Sequence, residues 1–421
     1  MIIVRSRWLL PIAERPMLNG WVAIHRGRIA AAGRAGASLP LRDDAPLVDL
    51  GAYAVLPALV NAHVHLELSW LRGLVPRAAR FTDWVPAMLH WRTSPPDGDA
   101  IGAAIHAAID EMRASGTGLV GDISNSLVTV DPLRRSALDG VVFHEVLRLA
   151  ADAADDVLET ALRAQEAQGV TGRFPVSLAP HAPYSVSPRL FQGLRAAQAR
   201  TPFLPSSVHV AESAEEVELL ATGQGPWRAL LERLGAWDPA WTPPACSPVR
   251  YLDQMRVLGS RLLAVHAVQC DDEDLDVLRG RATTVVTCPR SNRYVGAGDP
   301  PAARFFKSGV AVALGTDSLA SNDDLNLFSE LAALRHLAPE VPAATLLESA
   351  TVVGARALGF ETTAGTIEPG RHARLIAVAL PPEVIDVEEY LVSGVTPDRV
   401  HWVEDLVADL RFCGPSMTQS R

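Results

Sequence analysis

The chain alternates between short apolar runs that end in polar residues and longer segments with helical apolar spacing. Eight such runs follow one another: "VLPALVNAHVHLELS" from Val55, "GLVGDISNS" from Gly118, "GVVFHEVLRL" from Gly140, "FPVSLAPHAPYSVSP" from Phe174, "SSVHVAES" from Ser206, "LLAVHAVQC" from Leu262, "TTVVTCPRSN" from Thr283 and "VAVALGTDSLASN" from Val310. Segments such as "IGAAIHAAIDEMRASG" and "SPRLFQGLRAAQAR" lie between them and read as helices. Eight strand–helix alternations predict an α/β fold, a (β/α)8 TIM-like barrel with functional groups at the C-terminal ends of its strands. The order inside each run agrees, because the apolar half comes first and the His, Asp or Ser cluster comes last. Exposed polar residues scattered at random would show no such order.

The flanks differ from the middle. Residues 1–54 ("IIVRSRWLLPI", "GWVAIHRGRIAAAG", "PLVDLGAYAVL") read as short strands and turns, and residues 361–421 ("ETTAGTIEPGRHARLIAVALP", "RVHWVEDLVADLRF") read similarly. Two terminal β segments bracketing a barrel at 55–360 predict one small β-sandwich domain formed from both termini. A Pro-rich stretch from Trp237, "WDPAWTPPACSPVRYL", is too long for a plain connection and is a candidate lid or substrate wall.

Composition narrows the function. A net charge of −10 argues against nucleic-acid or anionic-membrane partners, and a 48% hydrophobic chain is no disordered segment. No apolar window is long enough to span a membrane, and the first residues lack a signal-peptide core. Four cysteines (Cys246, Cys270, Cys288 and Cys413) form no CxxC pair and no disulfide framework. A soluble cytoplasmic protein with a small-molecule substrate is therefore expected. Only one of the 38 basic residues is a lysine, Lys307.

The chemistry starts at "NAHVHLELS". Strand alternation puts His63, His65 and Glu67 on one face, and two imidazoles projecting the same way make a chelating pair. An isolated HxH is a weak signal, since structural histidines are common. His209, His266 and Asp317 at the ends of strands five, six and eight strengthen it. Nitrogen-rich ligation with one carboxylate suits one divalent metal, Zn²⁺ first and Fe²⁺ as the alternative. Glu212 lies three residues past His209, where a carboxyl group can shuttle protons for an activated water. Acidic residues at a helix start, such as Glu215 and Glu216 behind it, need no catalytic role.

Together "NAHVHLELS", "PHAPYSVSP", "SVHVAES", "AVHAVQCDDEDL", "TCPRSNRYVGAG" and "ALGTDSLASNDDLNLFSEL" resemble the amidohydrolase superfamily, in its deaminase and chlorohydrolase branch, over nearly the whole chain. The resemblance implies that His63, His65, His209 and Asp317 bind one metal and that Glu212 is the proton shuttle. It gives His266 contact with the water or substrate and Asp317 the water's proton. It also implies a homodimer. Relatives with two metals bridge them with a carboxylated lysine, commonly at the end of strand four. No lysine stands there, so a mononuclear site is expected.

The expected substrate contacts are Glu67, Arg148, His181, Tyr184, Arg290, Ser291 and Ser318, with Arg293 nearby. Arginines aimed into a cleft clamp carboxylates, although any one of them can equally be solvated or structurally paired. Among the branches, the motifs look most like the aminodeoxyfutalosine deaminases of the alternative menaquinone pathway, whose substrate carries a benzoate. Deaminases of S-adenosylhomocysteine, methylthioadenosine or guanine, a chlorohydrolase, and a non-catalytic scaffold remain as alternatives. One departure lies near the C-terminus, where the usual "GxxADL" reads "GRHARLI", with Arg374 in place of an aspartate.

Overall fold

In the computed structural model, which describes residues 1–36 and 45–412, every one of the eight apolar runs holds a strand. Strands one to four are Leu59–Val64, Thr117–Ser124, Asp139–Val146 and Val176–Pro180. Strands five to eight are Ser206–Val210, Leu262–His266, Thr284–Thr287 and Val312–Leu314. The first four pair in sequence order as one parallel sheet and the last four as another. The sheets meet where His209 N donates to His181 O (2.9 Å) and where Thr316 N and Asp317 N donate to His63 O (both 3.1 Å). This is a TIM-barrel-like α/β protein.

The strands are apolar on both faces because both faces are covered. Val60, Ala62, Leu119, Ile123, Val141, Phe143, Leu263, Val265, Val286 and Ala313 form one buried cluster. Helices on the other face begin at capping residues: Ser187, Ser213, Ser247 and Asp271 each accept a hydrogen bond from the first helical turn. Pro188 and Pro248 open two of these helices at the position where proline is tolerated.

The ends of the chain do pair. Leu375–Ala379 runs antiparallel to Tyr53–Pro57, in a five-stranded sheet with Trp8–Leu9, Met17–Leu18 and Val400–Trp402. A second sheet holds Ile2–Arg5, Trp21–His25, Arg28–Gly33 and Leu47–Asp49. Val4, Val22 and Ile29 of one sheet pack with Leu9, Val55, Leu375 and Ala377 of the other. Tyr53–Pro57 therefore belongs to the terminal sheet, and the first barrel strand starts at Leu59, not Val55.

One other expectation changes. "VEDLVADLRF" is a helix, Val403–Phe412, not a strand. Its packed residues Val403, Leu406 and Val407 are spaced for one helix face. Arg374, in place of the usual aspartate, pairs with Asp139 (3.0 Å) and donates to Ala137 O, tying the terminal sheet to strand three. No described helix is long and apolar enough to cross a membrane. Cys246, Cys270 and Cys288 are free thiols, and Cys413 lies outside the described residues.

Candidate metal centre and active site

Strand one ends at Val64. Leu66 N then donates to Asp122 Oδ1 (2.9 Å), and a 3-10 turn, Leu66–Leu71, begins. The alternation expected across "NAHVHLELS" therefore stops at His65, and Glu67 lies in the turn. Its carboxylate accepts from Ser124 Oγ (2.8 Å), Asn125 N (3.1 Å), Ser126 N (3.1 Å) and Ser126 Oγ (2.7 Å). In this structure the Glu67 carboxylate shapes the loop after strand two.

The histidines converge. His65 Nε2 and His209 Nε2 are 3.3 Å apart, and Asp317 Oδ1 lies 3.8 Å from His63 Nε2 and 3.7 Å from His65 Nε2. Ligand atoms of His63, His65 and His209 all fall within 4.8 Å of one another. Both ring nitrogens of His63 are buried and lack a hydrogen-bond partner, a state that buried polar atoms almost never keep. A cation bound at His63 Nε2, the nitrogen nearer Asp317, would satisfy that one, so the residues fit a divalent metal.

The electrostatics prepare the same donors. Burial, helped by the neighbouring imidazoles, pushes His63 well below the usual histidine range. Burial takes His209 down to about 3, with Glu145 acting in the opposite direction. Neutral imidazole is the ligating form. His209 Nδ1 donates to His181 O (3.0 Å), which leaves the Nε2 lone pair facing His65. Burial raises Asp317, yet His65, His266 and the Ser291 hydroxyl outweigh it and hold the carboxyl below its ordinary value.

Glu212 lies between strand five and the helix Ala214–Thr222, with Oε1 3.5 Å from His266 Nε2. Burial, with Asp317 and Glu216 nearby, raises its pKa well above the ordinary value. Its backbone is fixed by Glu216, whose carboxylate accepts from Ala211 N (3.1 Å) and Glu212 N (2.9 Å). Asn292 Nδ2 lies 2.9 Å from His266 Nδ1, which holds the ring with its other nitrogen toward Glu212. Ala211, His266 and Asp317 all have positive φ (49°, 75° and 58°), unusual for side chains with a Cβ and concentrated at these strand ends.

The remaining expected residues separate by partner. Ser291 Oγ donates to Asp317 Oδ2 (2.6 Å), and Ser318 N donates to Asp317 Oδ1 (2.8 Å), so both serve the aspartate. His181 Nδ1 lies 2.6 Å from Ser185 Oγ. Tyr184 is buried and stacked on Trp227 at 4.3 Å, within an aromatic wall that includes Phe81, Trp84 and Trp241. Trp241 comes from the expected Pro-rich wall segment. Arg290 forms a two-pronged pair with Asp324 (2.7 and 2.8 Å), and Arg293 pairs with Asp299. Arg148 is exposed at the end of strand three, and its guanidinium has no hydrogen-bond or ion-pair partner among the described residues. Lys307 stands on the helix Ala302–Ser308, away from these strand ends.

Sequence reasoning missed Glu145, which lies in strand three with Oε1 3.4 Å from His209 Nδ1. The alternation of Val141, Phe143 and Glu145 was the available signal, because an acidic residue on an inward face is costly to bury. Asp122 and Glu216, which hold the backbone after His65 and before Glu212, were also missed.

The amidohydrolase family pattern matches residues 54–417. The chain belongs to the amidohydrolase family. It is a hydrolase acting on carbon–nitrogen bonds. Within the family it is 34% identical over 329 residues to an aminodeoxyfutalosine deaminase of Deinococcus radiodurans, covering 73% of this chain and 74% of that one. It is 31% identical over 377 residues to a 5-methylthioadenosine/S-adenosylhomocysteine deaminase of Nitratidesulfovibrio vulgaris, covering 86% and 79%. Among solved amidohydrolase-like structures, an adenosine deaminase from Xanthomonas campestris with bound zinc superposes with a TM-score of 0.81 at 25% identity, covering 98% and 97%.

Proposed function

We propose that this amidohydrolase is a hydrolytic deaminase of the adenine ring in a nucleoside-like substrate, and that the substrate carries a carboxylate as aminodeoxyfutalosine does. The observation that carries the chemistry is geometric: buried Glu212 lies 3.5 Å from His266 Nε2, and Asp317 lies within 3.8 Å of His63 and His65, with the two carboxyl groups pushed apart in pKa, Glu212 up and Asp317 down. Such a split assigns a general acid and a general base. The deaminase relatives support the reaction class. The carboxylate is supported by Arg148, the one member of the expected arginine set without a partner among the described residues.

His63, His65, His209 and Asp317 would hold one Zn²⁺, or Fe²⁺, whose Lewis acidity makes a water nucleophilic at neutral pH. The protein's own groups then move the protons. Asp317 accepts one from the attacking water while His266 orients the nucleophile and Glu212 protonates the ring nitrogen. The water oxygen bonds to the ring carbon that carries the amine. Asp317 next protonates the amine, the C–N bond breaks, and ammonia leaves. The hydroxyl proton returns to Glu212, so both carboxyl groups end as they began and the ring is left with a keto group.

The same reading closes the two parallel sheets into one barrel. It gathers the two ends of the chain, residues 1–57 and 361–421, into one β-sandwich around the barrel, a division supported by the pairing of Leu375–Ala379 with Tyr53–Pro57 and three residues longer at the N-terminal side than the expected 1–54.

The test is ammonia release and the adenine-to-hypoxanthine absorbance change with adenosine, methylthioadenosine, S-adenosylhomocysteine and a nucleoside bearing a 5′ benzoate. Preference for the benzoate compound supports the full proposal. Equal rates on plain adenosine remove the carboxylate part, and no ammonia from any of them removes the deaminase.

A further inference from the structure

We infer that Glu145 is a positioning residue that fixes the ring and donor strength of His209, and that Glu67 acts on His209 through it. The inference rests on the reading of His209 as a metal ligand.

Val141, Phe143 and Glu145 share the inward face of strand three, the first two in the barrel's central apolar cluster. Glu145 is 7% exposed and has no Arg or Lys partner among the described residues. Burying an ionised carboxylate with no cation beside it is costly, so its surroundings should explain it. Oε1 lies 3.4 Å from His209 Nδ1, the nitrogen that donates to His181 O at 3.0 Å. Oε2 accepts from Asn125 Nδ2 at 2.9 Å. Asn125 N donates in turn to Glu67 Oε1 (3.1 Å), and Ser124 and Ser126 close the loop onto the other Glu67 oxygen. The path therefore runs Glu67, Asn125, Glu145, His209.

Two oxygens around one imidazole N–H do two things. They fix the tautomer that leaves Nε2 free, and a carboxylate beside the N–H makes that lone pair a stronger donor. Glu145, His181 and His209 also lie close enough together to look like a second cation cradle. The hydrogen bonds argue otherwise, because His209 Nδ1 is committed to His181 O and His181 Nδ1 to Ser185 Oγ.

The test is Zn²⁺ affinity of the full-length protein, measured without substrate by competition against a chromophoric chelator, together with the visible spectrum of the Co²⁺-loaded form. Glu145→Gln should weaken Zn²⁺ binding about 10- to 100-fold and shift the Co²⁺ bands, the range for lost partners of metal-bound histidines. Asn125→Ala, which leaves the carboxylate in place but unanchored, should weaken it in the same direction by a smaller factor, and it serves if Glu145→Gln is recovered unfolded. Unchanged affinity with a raised KM would overturn the inference and make Glu145 a substrate contact. His209→Ala separates the two layers. If that variant binds Zn²⁺ as tightly as the parent, the metal reading itself fails; if it loses Zn²⁺ while Glu145→Gln does not, only the positioning role fails.

Discussion

Glu212 Oε1 and His266 Nε2 face each other at 3.5 Å, both almost fully buried. Asn292 holds the far side of the His266 ring. The imidazole cannot turn away, and the carboxyl group stays beside the histidine cluster without being one of its converging residues. Glu212→Gln keeps the shape and removes the titrating proton. Turnover should fall by about 10²- to 10⁴-fold, the usual worth of a general acid–base group, with metal content unchanged. Metal analysis beside kcat checks this, and full activity in the variant would end the assignment.

Asp317 depends on its serine neighbours. Ser291 Oγ donates to Oδ2 at 2.6 Å, and Ser321 Oγ reaches the same oxygen at 3.1 Å. Ser291→Ala removes one hydrogen bond that helps keep the carboxyl ionised. The expected outcome is a drop of about 10-fold in Zn²⁺ affinity, at the low end for lost supporting contacts, with the acid limb of kcat/KM moved to higher pH. Titrating activity against pH in parent and variant reads the shift directly.

The arginines should behave differently from one another. Arg290 is pinned to Asp324 and lies 3.8 Å from the buried Glu330. Arg290→Ala should cost stability, about 1–3 kcal/mol by thermal melting, because it strands partly buried carboxylates. Arg148→Ala should leave the melting temperature unchanged and raise KM for a carboxylated nucleoside alone. The reverse pattern would move the clamp to Arg290.

Much of this was legible because strands have a period of two and barrels put their chemistry at one end. The eight runs, the HxH pair and the later His209, His266 and Asp317 follow from those two facts. The reading failed where the chain leaves regular structure. Glu67 looked like a third residue on a strand face, but the strand ends at Val64, three residues earlier, where Leu66 N turns to donate to the Asp122 carboxylate. Glu145 sits in an apolar run whose polar partners, Asn125 and His209, come from distant segments. The departure at Arg374 is explained by Asp139, a partner far away in sequence at the start of strand three. The Val403–Phe412 helix was a readable miss, since its apolar spacing is helical.

Asp122 gives a pH dependence of stability. Its pKa is pushed up to about 8 by burial, with Thr129 and Leu66 opposing and Glu67 adding to the rise. A carboxyl raised on folding stabilises the protein below its unfolded pKa, and that contribution is lost as pH climbs through the folded value. Stability should therefore decline between roughly pH 4 and pH 8, with the raised Glu216 and Glu330 adding to the slope. Asp122→Asn, permanently neutral, should flatten that decline in melting temperature measured across the range. An unchanged slope would mean that Asp122 does not carry it.

Gly315 offers the last test. It lies just after strand eight, and a Cβ there would stand 2.8 Å from both His63 Cβ and His63 O, and 3.1 Å from Cys288 Sγ. The backbone of strand one cannot yield, because His63 O accepts from Thr316 and Asp317, and Asn61 holds Thr316 through both its backbone N–H (3.1 Å) and its hydroxyl (2.7 Å). Gly315→Ala must therefore push apart the two elements that bring His63 and Asp317 together. The expected cost is about 1–3 kcal/mol of stability, the usual range for overpacking. A loss of Zn²⁺ affinity should accompany it, whereas Gly235→Ala, at a position with nothing within 4 Å, should leave affinity unchanged. If Gly315→Ala melts lower yet binds Zn²⁺ as tightly as the parent, the spacing between strands one and eight does not set the metal site.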